Sequence, residues 1–168
     1  MRLVSCLVLT ATVVAGCSRS DLVPDEGASS PEQQQVVAVV EQLFHGIATQ
    51  DTILLGRLLD RDAQLVSVRE VNGEPSWTRR NRADFLSGIG TNEVEMVERM
   101  WDPEVRVDGD IASLWAPYDF HVDGEFSHCG YDAFHLVRKR GVWLITAITY
   151  TVRTEGCHDA LPPPPDGE

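Results

Sequence analysis

Positively charged residues are scarce in this sequence, and Lys139 is its only lysine. The 14 lysines and arginines stand against 26 aspartates and glutamates, which gives a formal net charge of −12. Proteins that bind nucleic acids need clustered basic side chains to neutralise phosphates. The densest basic group, Arg79-Arg80-Asn81-Arg82, is short and stands beside Asp84. We therefore expect no nucleic acid partner, and we interpret this group as the solvated start of a helix.

The sequence also lacks an apolar run long enough to cross a bilayer, which requires about 20 residues. A shorter run, Leu3–Val14, follows Arg2 and has the length typical of a signal-peptide core. It leads into Val14-Ala15-Gly16-Cys17, which resembles the lipobox of bacterial lipoproteins. The resemblance implies a signal peptide over residues 1–16 and lipidation of Cys17. The alternatives are an ordinary secretory signal with a chance cysteine, or a core helix.

Lipidation of Cys17 would anchor the protein in the bacterial cell envelope. Ser18 follows this cysteine, whereas an aspartate at that place favours retention in the inner membrane of Gram-negative bacteria. The absence of aspartate resembles the pattern of lipoproteins sent to the outer membrane. We therefore expect a lipid anchor in the outer membrane, with the protein facing the periplasm.

Cysteine is rare as well, with four in the chain. Cys6 would leave with the signal peptide and Cys17 would be acylated, so that Cys129 and Cys157 remain. An even pair of cysteines in an oxidising compartment favours a disulfide. We predict a bond between Cys129 and Cys157.

The sequence contains no convincing metal or cofactor motif. His128-Cys129 and Cys157-His158 together hold the residue types of a zinc site, but adjacent residues on a strand point to opposite faces. Gly88-Ile89-Gly90 lacks the third glycine and the preceding strand of a dinucleotide-binding loop. We therefore expect no metal and no cofactor.

Composition divides the rest of the chain, after residues 1–16, into three parts. Residues 17–30 are rich in Ser, Asp, Glu, Gly and Pro without an apolar period, and we interpret them as a flexible tether. Residues 31–158 have the length of one domain with a single core. Residues 159–168 contain four consecutive prolines and form a disordered tail in this interpretation.

Within the domain, the patterns predict an α+β fold. Ser30-Pro31 with Gln33 is typical of a capped helix start, and Asp51 is typical of the cap of a second helix. A strand over 64–71 and a helix over 79–89 follow. Four strands come next, separated in part by the hairpin signals at Asp108-Gly109, Asp123-Gly124 and Arg140-Gly141. The predicted strands cover 93–107, 111–122, 125–139 and 142–152.

This order of elements resembles the nuclear transport factor 2-like superfamily, which includes ketosteroid isomerases and polyketide cyclases. The segments 115–124 and 126–134, with the motif Phe126-Ser127-His128-Cys129-Gly130, resemble a bacterial branch labelled lumazine-binding. The resemblance covers roughly residues 33–157. It implies a cone-shaped, cystatin-like α+β fold with N-terminal helices packed on a curved, mostly antiparallel sheet.

The hairpin signals also predict a register. If Asp123-Gly124 form a two-residue loop, Asp119 lies opposite His128 and Trp115 lies opposite Asp132. If Arg140-Gly141 form the next loop, His128 meets Arg153. These five side chains would then share one face of the sheet with Thr149. A carboxylate beside an imidazole would raise the pKa of His128.

We expect this face to form a pocket that binds a small, partly apolar molecule through Trp115, Asp119, His128, Asp132 and Arg153. The first alternative is a cofactor-free isomerase, dehydratase or cyclase in which Asp119, His128 and Asp132 move a proton. A second is a protein-interaction domain, because the resemblance implies a homodimer through the sheet. The polar face could equally be a structural network that sets the strand register.

Overall fold

The computed structural model describes residues 29–157. The predicted signal peptide, Cys17 with nearly all of the predicted tether, and the proline-rich tail lie outside the described residues. The described part contains three helices: α1 Pro31–Ala48, α2 Thr52–Leu58 and α3 Arg82–Gly90. It also contains seven strands: β1 Leu59–Val71, β2 Glu74–Asn81, β3 Met96–Met100, β4 Glu104–Asp108, β5 Ile111–Val122, β6 Glu125–Lys139 and β7 Val142–Val152.

The first two helices begin at the predicted caps. The Ser30 hydroxyl accepts a hydrogen bond from the Gln33 amide, and the Gln33 side chain accepts one from the Ser30 amide, at 3.2 and 2.7 Å. Asp51 accepts bonds from the amides of Ile53 and Leu54. These caps satisfy amides that the helix itself leaves without partners. None of the three helices in the described part has the length and apolar character needed to cross a bilayer.

The strands form one curved sheet in the order β2-β1-β7-β6-β5-β3. Strands β3 and β4 pair with the same edge of β5, β4 with its first half and β3 with its second half. The β1–β7 pair is parallel and the other pairs are antiparallel. Helix α1 packs on the sheet through the apolar positions that its period predicts. Its buried side chains are Val36, Val40, Leu43, Phe44 and Ile47.

Three parts of the predicted strand pattern differ from the structure, and the first is that β1 begins at Leu59 rather than at residue 64. Strand β2 was not expected, because all eight of its residues are exposed and it has no apolar alternation. It forms a hairpin with β1 through Asn72 and Gly73, both with positive φ. Helix α3 consequently begins at Arg82, capped by Asn81, rather than at Arg79. The single strand expected over 93–107 is divided into β3 and β4 near Asp102, whose φ is +46°.

The loop at Asp123-Gly124 is where the sequence predicts it, since Val122 pairs with Glu125. A β-bulge then shifts the register: His121 pairs with Phe126, but Phe120 pairs with His128, so that Ser127 is the additional residue. Beyond the bulge, Asp119 lies opposite Cys129 and Trp115 opposite Ala133. The predicted pairs Asp119–His128 and Trp115–Asp132 are therefore wrong, because one additional residue reverses the face of each later side chain.

A second bulge affects the pairing of β6 with β7. The Arg140-Gly141 loop is as predicted, but Thr146 is an additional residue between the pairs Leu136↔Ile145 and His135↔Ala147. As a result Asp132 lies opposite Tyr150 rather than Thr149. Arg153 pairs with Cys129 rather than with His128.

The predicted disulfide between Cys129 and Cys157 is confirmed, with the two Cα atoms 5.8 Å apart. It joins the β6 strand to the segment after β7, where Gly156 has a φ of +63°. A positive φ is unfavourable for most residues but not for glycine. The chain can therefore turn back past the end of β7 and bring Cys157 to Cys129.

Candidate ligand-binding site

The concave face of the sheet and the helices α1 and α3 enclose a cavity of about 680 Å³. Its walls are largely apolar. Even-numbered residues of β5 and β6, such as Tyr118 and Phe134, face the cavity, because side chains alternate along a strand. The apolar lining comes from three parts of the fold: Leu43, Phe44 and Ile47 of α1, Phe85 and Ile89 of α3, and Leu65, Phe120, Phe134 and Ile148 of the sheet.

Two carboxyl groups meet in this apolar cavity. Asp132 is 1% exposed, and its Oδ2 atom has no hydrogen-bond partner among residues 29–157. Glu98 of β3 lines the same cavity and interacts directly with the Asp132 carboxyl group. Burying a carboxylate without a compensating partner is costly, so the neutral form is favoured. We call Glu98 and Asp132 the carboxyl pair.

Both members of the carboxyl pair have raised pKa values. Burial raises the pKa of Asp132 to about 8, against a smaller opposing effect from its hydrogen bond with Glu98. Burial also raises the pKa of Glu98 well above its ordinary value, and the charge of Asp132 adds to the effect. Glu98 keeps some accessible surface, but that surface faces the cavity. The pair therefore holds at least one proton at neutral pH and can both donate and accept a hydrogen bond.

Two tyrosines border the carboxyl pair. The Tyr118 hydroxyl donates a hydrogen bond of 2.7 Å to the Thr151 carbonyl oxygen, which keeps it engaged with the backbone. Burial, followed by the charges of Asp132 and Glu98, raises the pKa of Tyr118. Burial also raises the pKa of Tyr150, whose ring lies 6.4 Å from that of Tyr118. Both phenols stay protonated at neutral pH.

His128 also lines the cavity, as expected, but its environment is not the predicted one. Its ring stacks on Phe120 at 5.0 Å, and its Nδ1 atom lies 3.0 Å from the Ser127 hydroxyl. Burial and the positive charge of Arg69 lower the pKa of His128. The expectation that Asp119 raises this pKa is wrong, because Asp119 lies on the opposite face of the sheet.

Asp119 instead belongs to an ion network on the convex face. It accepts a hydrogen bond of 2.9 Å from Arg99 Nε and a second one from Arg99 Nη2, and its Oδ2 lies 3.2 Å from His121 Nε2. Burial alone would raise the pKa of Asp119, but the hydrogen bonds from Arg99 and His121 outweigh it and lower this pKa. This network links β3 to β5 and does not reach the cavity.

Two further predicted ligand residues also lie away from the cavity. Trp115 is 48% exposed and stacks on Tyr131, with ring centroids 5.3 Å apart. Arg153 is exposed, and its backbone exchanges two hydrogen bonds of 2.9 Å with Cys129. Of the five predicted ligand residues, the structure therefore brings only His128 and Asp132 together. Trp115, Asp119 and Arg153 are separated from them by the shift in register.

Glu98 is not among the site residues that the sequence predicts, although a signal for it is present. In Met96-Val97-Glu98-Arg99-Met100 the strand period places a glutamate between two methionines on one face. Arg80 had no such signal, because its position beside Leu65 depends on the unexpected β1–β2 hairpin. In the part of the chain that the structure describes, no three His, Cys, Asp or Glu side chains are arranged to hold a metal ion.

Comparison with known proteins supports the fold. No family model and no curated protein matches the chain. Many solved structures resemble it. A nuclear transport factor 2-like protein of unknown function from Silicibacter pomeroyi is 22% identical, with a TM-score of 0.51 over 71% of this chain and 94% of that one. Another from Cytophaga hutchinsonii is 13% identical, with a TM-score of 0.61 over 74% of this chain and 100% of that one.

A third structure, from Streptomyces avermitilis, is described as a candidate dehydratase of the same family. It is 14% identical, with a TM-score of 0.55 over 73% of this chain and 96% of that one. At these identities the likeness concerns the fold. The chain thus has the nuclear transport factor 2-like, cystatin-like fold that its sequence predicts.

Proposed function

We propose that this protein binds a small, partly apolar molecule in the cavity of the cone, with a polar group of the ligand placed against the carboxyl pair. The observation that carries this proposal is the Oδ2 atom of Asp132, which is buried and has no partner among the described residues. Such an atom costs about 1–3 kcal/mol relative to a satisfied one. A ligand hydroxyl or amine at the carboxyl pair would recover that free energy.

The rest of the cavity supports an apolar ligand body. Aromatic and aliphatic side chains from α1, α3 and the sheet form most of its lining. Cavities of this size, apolar with a few convergent polar groups, are typical of small-molecule sites. His128, with its lowered pKa, contributes a neutral imidazole that can hydrogen-bond without adding charge.

An enzymatic function has one specific observation in its favour. Two carboxyl groups with raised pKa values in a largely apolar cavity can move a proton without a cofactor at neutral pH. This would suit an isomerase, dehydratase or cyclase, and the Streptomyces avermitilis protein is a candidate dehydratase. The proton-transfer groups would be Glu98 and Asp132 rather than Asp119 and His128. The sequence resemblance to the lumazine-binding branch names no activity of its own.

We further propose that the domain is held in the cell envelope by a lipid on Cys17, facing the periplasm from the outer membrane. The lipobox-like sequence before Cys17 supports this. The disulfide between Cys129 and Cys157 agrees with an oxidising compartment.

Displacement of a dye tests the binding proposal. We expect the mature protein to take up Nile red, an uncharged apolar fluorophore, and decane-α,ω-diol to displace it. Asp132→Leu removes the carboxyl group that would bond the diol, so it should weaken diol binding about tenfold and leave Nile red binding unchanged. Glu95→Gln changes an exposed carboxylate near the start of β3 and serves as the control.

The contrary results are clear. Failure of wild-type protein to bind either Nile red or the diol would contradict the proposed cavity function. Equal diol affinity in wild type and Asp132→Leu would contradict the role of the carboxyl pair. Catalysis is separated from binding by incubating bound, host-derived ligand in heavy water, since proton transfer at carbon would introduce deuterium that mass spectrometry detects.

A further inference from the structure

The cavity has positively charged side chains toward one end and the carboxyl pair toward the other. Arg69 of β1 and Arg80 of β2 line it and are exposed, which places them at its opening. The carboxyl pair lies deeper, on β3 and β6. The cavity therefore has a cationic rim and a protonatable carboxyl interior.

The register of the sheet gives the separation of these two ends. Asp132 of β6 pairs with Tyr150 of β7, and Tyr150 pairs with Ser67 of β1. Two residues before Ser67, Leu65 of β1 pairs with Arg80 of β2. Asp132 on β6 is thus two strands from β1 and three from β2. At a strand spacing of about 4.8 Å, the backbone separation measured perpendicular to the strands is roughly 10–14 Å. Between the two ends the cavity floor is apolar, and Phe134 of β6 pairs there with Ile148 of β7.

Neither arginine forms a salt bridge within residues 29–157. In the part of the chain that the structure describes, the salt bridges within 4 Å involve Arg99, Arg138 and His121, and none involves Arg69 or Arg80. The positive charge of Arg69 contributes to the lowered pKa of His128 inside the cavity. The positive charge of Arg80 partly opposes the effect of burial on the pKa of Tyr150. Two unpaired guanidinium groups at one opening stand out in a protein whose net charge is −12.

We propose that the ligand is an amphipathic organic anion, whose oxyanion binds at the rim to which Arg69 and Arg80 contribute and whose apolar body crosses the cavity floor to a hydroxyl or amine at the carboxyl pair. This inference rests on the proposed binding function and specifies its ligand class. Guanidinium groups suit planar oxyanions such as carboxylates, because their N–H groups can donate two parallel hydrogen bonds. An anion at the opening would neutralise the arginines, while the protonated interior avoids a second buried negative charge.

The test compares two probes that differ in one terminal group. ω-Hydroxydecanoate has a carboxylate where decane-α,ω-diol has a hydroxyl, and the chain length suits the separation of the two ends. Each is titrated against Nile red. We expect wild-type protein to bind the hydroxy acid about tenfold more tightly than the diol, and Arg69→Gln/Arg80→Gln to abolish that preference without changing diol affinity.

The matched control is Arg61→Gln/Arg79→Gln. It removes the same charge from the same two strands, at exposed arginines that do not line the cavity. We expect this variant to keep the wild-type preference. High salt should reduce the preference, because exposed charges are screened.

Four results would overturn the inference. Equal affinity of wild-type protein for the two probes would show that the rim does not select an anion. An equal loss of preference in both double variants would show a general charge effect rather than a site. If the diol binds but Arg69→Gln/Arg80→Gln keeps the wild-type preference for the hydroxy acid, this inference alone is overturned. If neither probe binds, the proposed function is overturned with it.

Discussion

At the scale of single residues, Asp132 combines features that rarely occur together in a purely structural side chain. It is almost fully buried, faces an apolar cavity and leaves one carboxyl oxygen without a partner among residues 29–157. Buried polar groups are usually satisfied, because an unmade hydrogen bond is not compensated by water. The convex-face aspartate, Asp119, is buried to the same degree but is bonded to Arg99 and lies near His121. The contrast supports the proposed ligand role of Asp132 and indicates a structural role for Asp119.

The raised pKa of Asp132 should appear as a pH dependence of stability. Its folded-state pKa of about 8 exceeds the ordinary value, so the folded state binds more protons than the unfolded state between about pH 4 and pH 8. Stability is therefore highest below the unfolded pKa and is lost as pH rises through the folded value. In the wild-type protein the free energy of unfolding should fall by an amount on the order of a few kcal/mol as pH rises to the folded-state pKa. We expect Asp132→Asn to remove this fall, as measured by urea unfolding at several pH values.

Asp62→Asn is the control for this measurement, because Asp62 is an exposed aspartate of β1. It should follow the pH curve of the wild-type protein. Parallel curves for wild type and Asp132→Asn would mean that the Asp132 carboxyl is not the group that titrates.

Asp119→Asn should weaken the fold rather than the site. Asp119 has a lowered pKa, so its contribution is present above the ordinary carboxyl pKa and is lost as pH falls through the lower folded value. We expect the substitution to reduce the free energy of unfolding by about 2 kcal/mol at neutral pH. Diol affinity per folded molecule should remain unchanged in calorimetric titration. A selective loss of diol affinity would instead connect the convex network to the cavity.

At the scale of elements, the bulge at Ser127 decides which side chains reach the cavity. It places His128 and Asp132 on the concave face with Tyr118, and it leaves Asp119 with Cys129 on the other. Gly130 is required nearby, since a Cβ atom there would lie 2.0 Å from the Thr151 carbonyl oxygen. The absence of a side chain at Gly130 thus allows the Thr151 carbonyl oxygen to approach β6 and to accept a hydrogen bond from the Tyr118 hydroxyl.

The disulfide fastens the end of β7 to this irregular part of β6. Its loop spans 28 residues, so the chain-entropy model gives about 3.5 kcal/mol of stabilisation. We expect Cys129→Ala/Cys157→Ala to lower the free energy of unfolding by roughly that amount in urea titration. Thiol titration of unfolded, unreduced wild-type protein should detect neither cysteine. Two reactive thiols there, or an unchanged stability in the double variant, would contradict the disulfide.

At the scale of the whole molecule, the cavity would be presented by a domain tethered to a membrane. Substitution of the proposed acylation site tests this. Cys17→Ser should leave the precursor uncleaved by the lipoprotein peptidase and unlabelled by radioactive palmitate, because the serine hydroxyl does not replace the thiol. A wild-type level of palmitate labelling in this variant would contradict anchoring at Cys17.

The homodimer through the sheet stays a prediction. The convex face exposes Trp115 and, nearer the sheet end, Phe126, at 48% and 45%. Exposed aromatic side chains are enriched at protein interfaces, although scattered ones also occur on monomers. Light scattering of the mature protein gives its mass in solution and decides the matter.

The amino-acid sequence by itself determined the local features of this fold. The caps at Ser30 and Asp51, the loops at Asp123-Gly124 and Arg140-Gly141, and the α+β class all follow from interactions between residues close in the chain. The disulfide was also predictable, because cysteine count and the expected compartment left a single pair.

The tertiary structure alone decided which side chains form the site. Each of the two bulges inserts one residue and reverses the facing of all later pairs, and the apolar pattern contains no local signal for either. The carboxyl pair joins Glu98 of β3 to Asp132 of β6, and Arg80 reaches the opening through a hairpin whose second strand is wholly exposed. These contacts depend on which strands become neighbours, and burial, not local sequence, selects those neighbours.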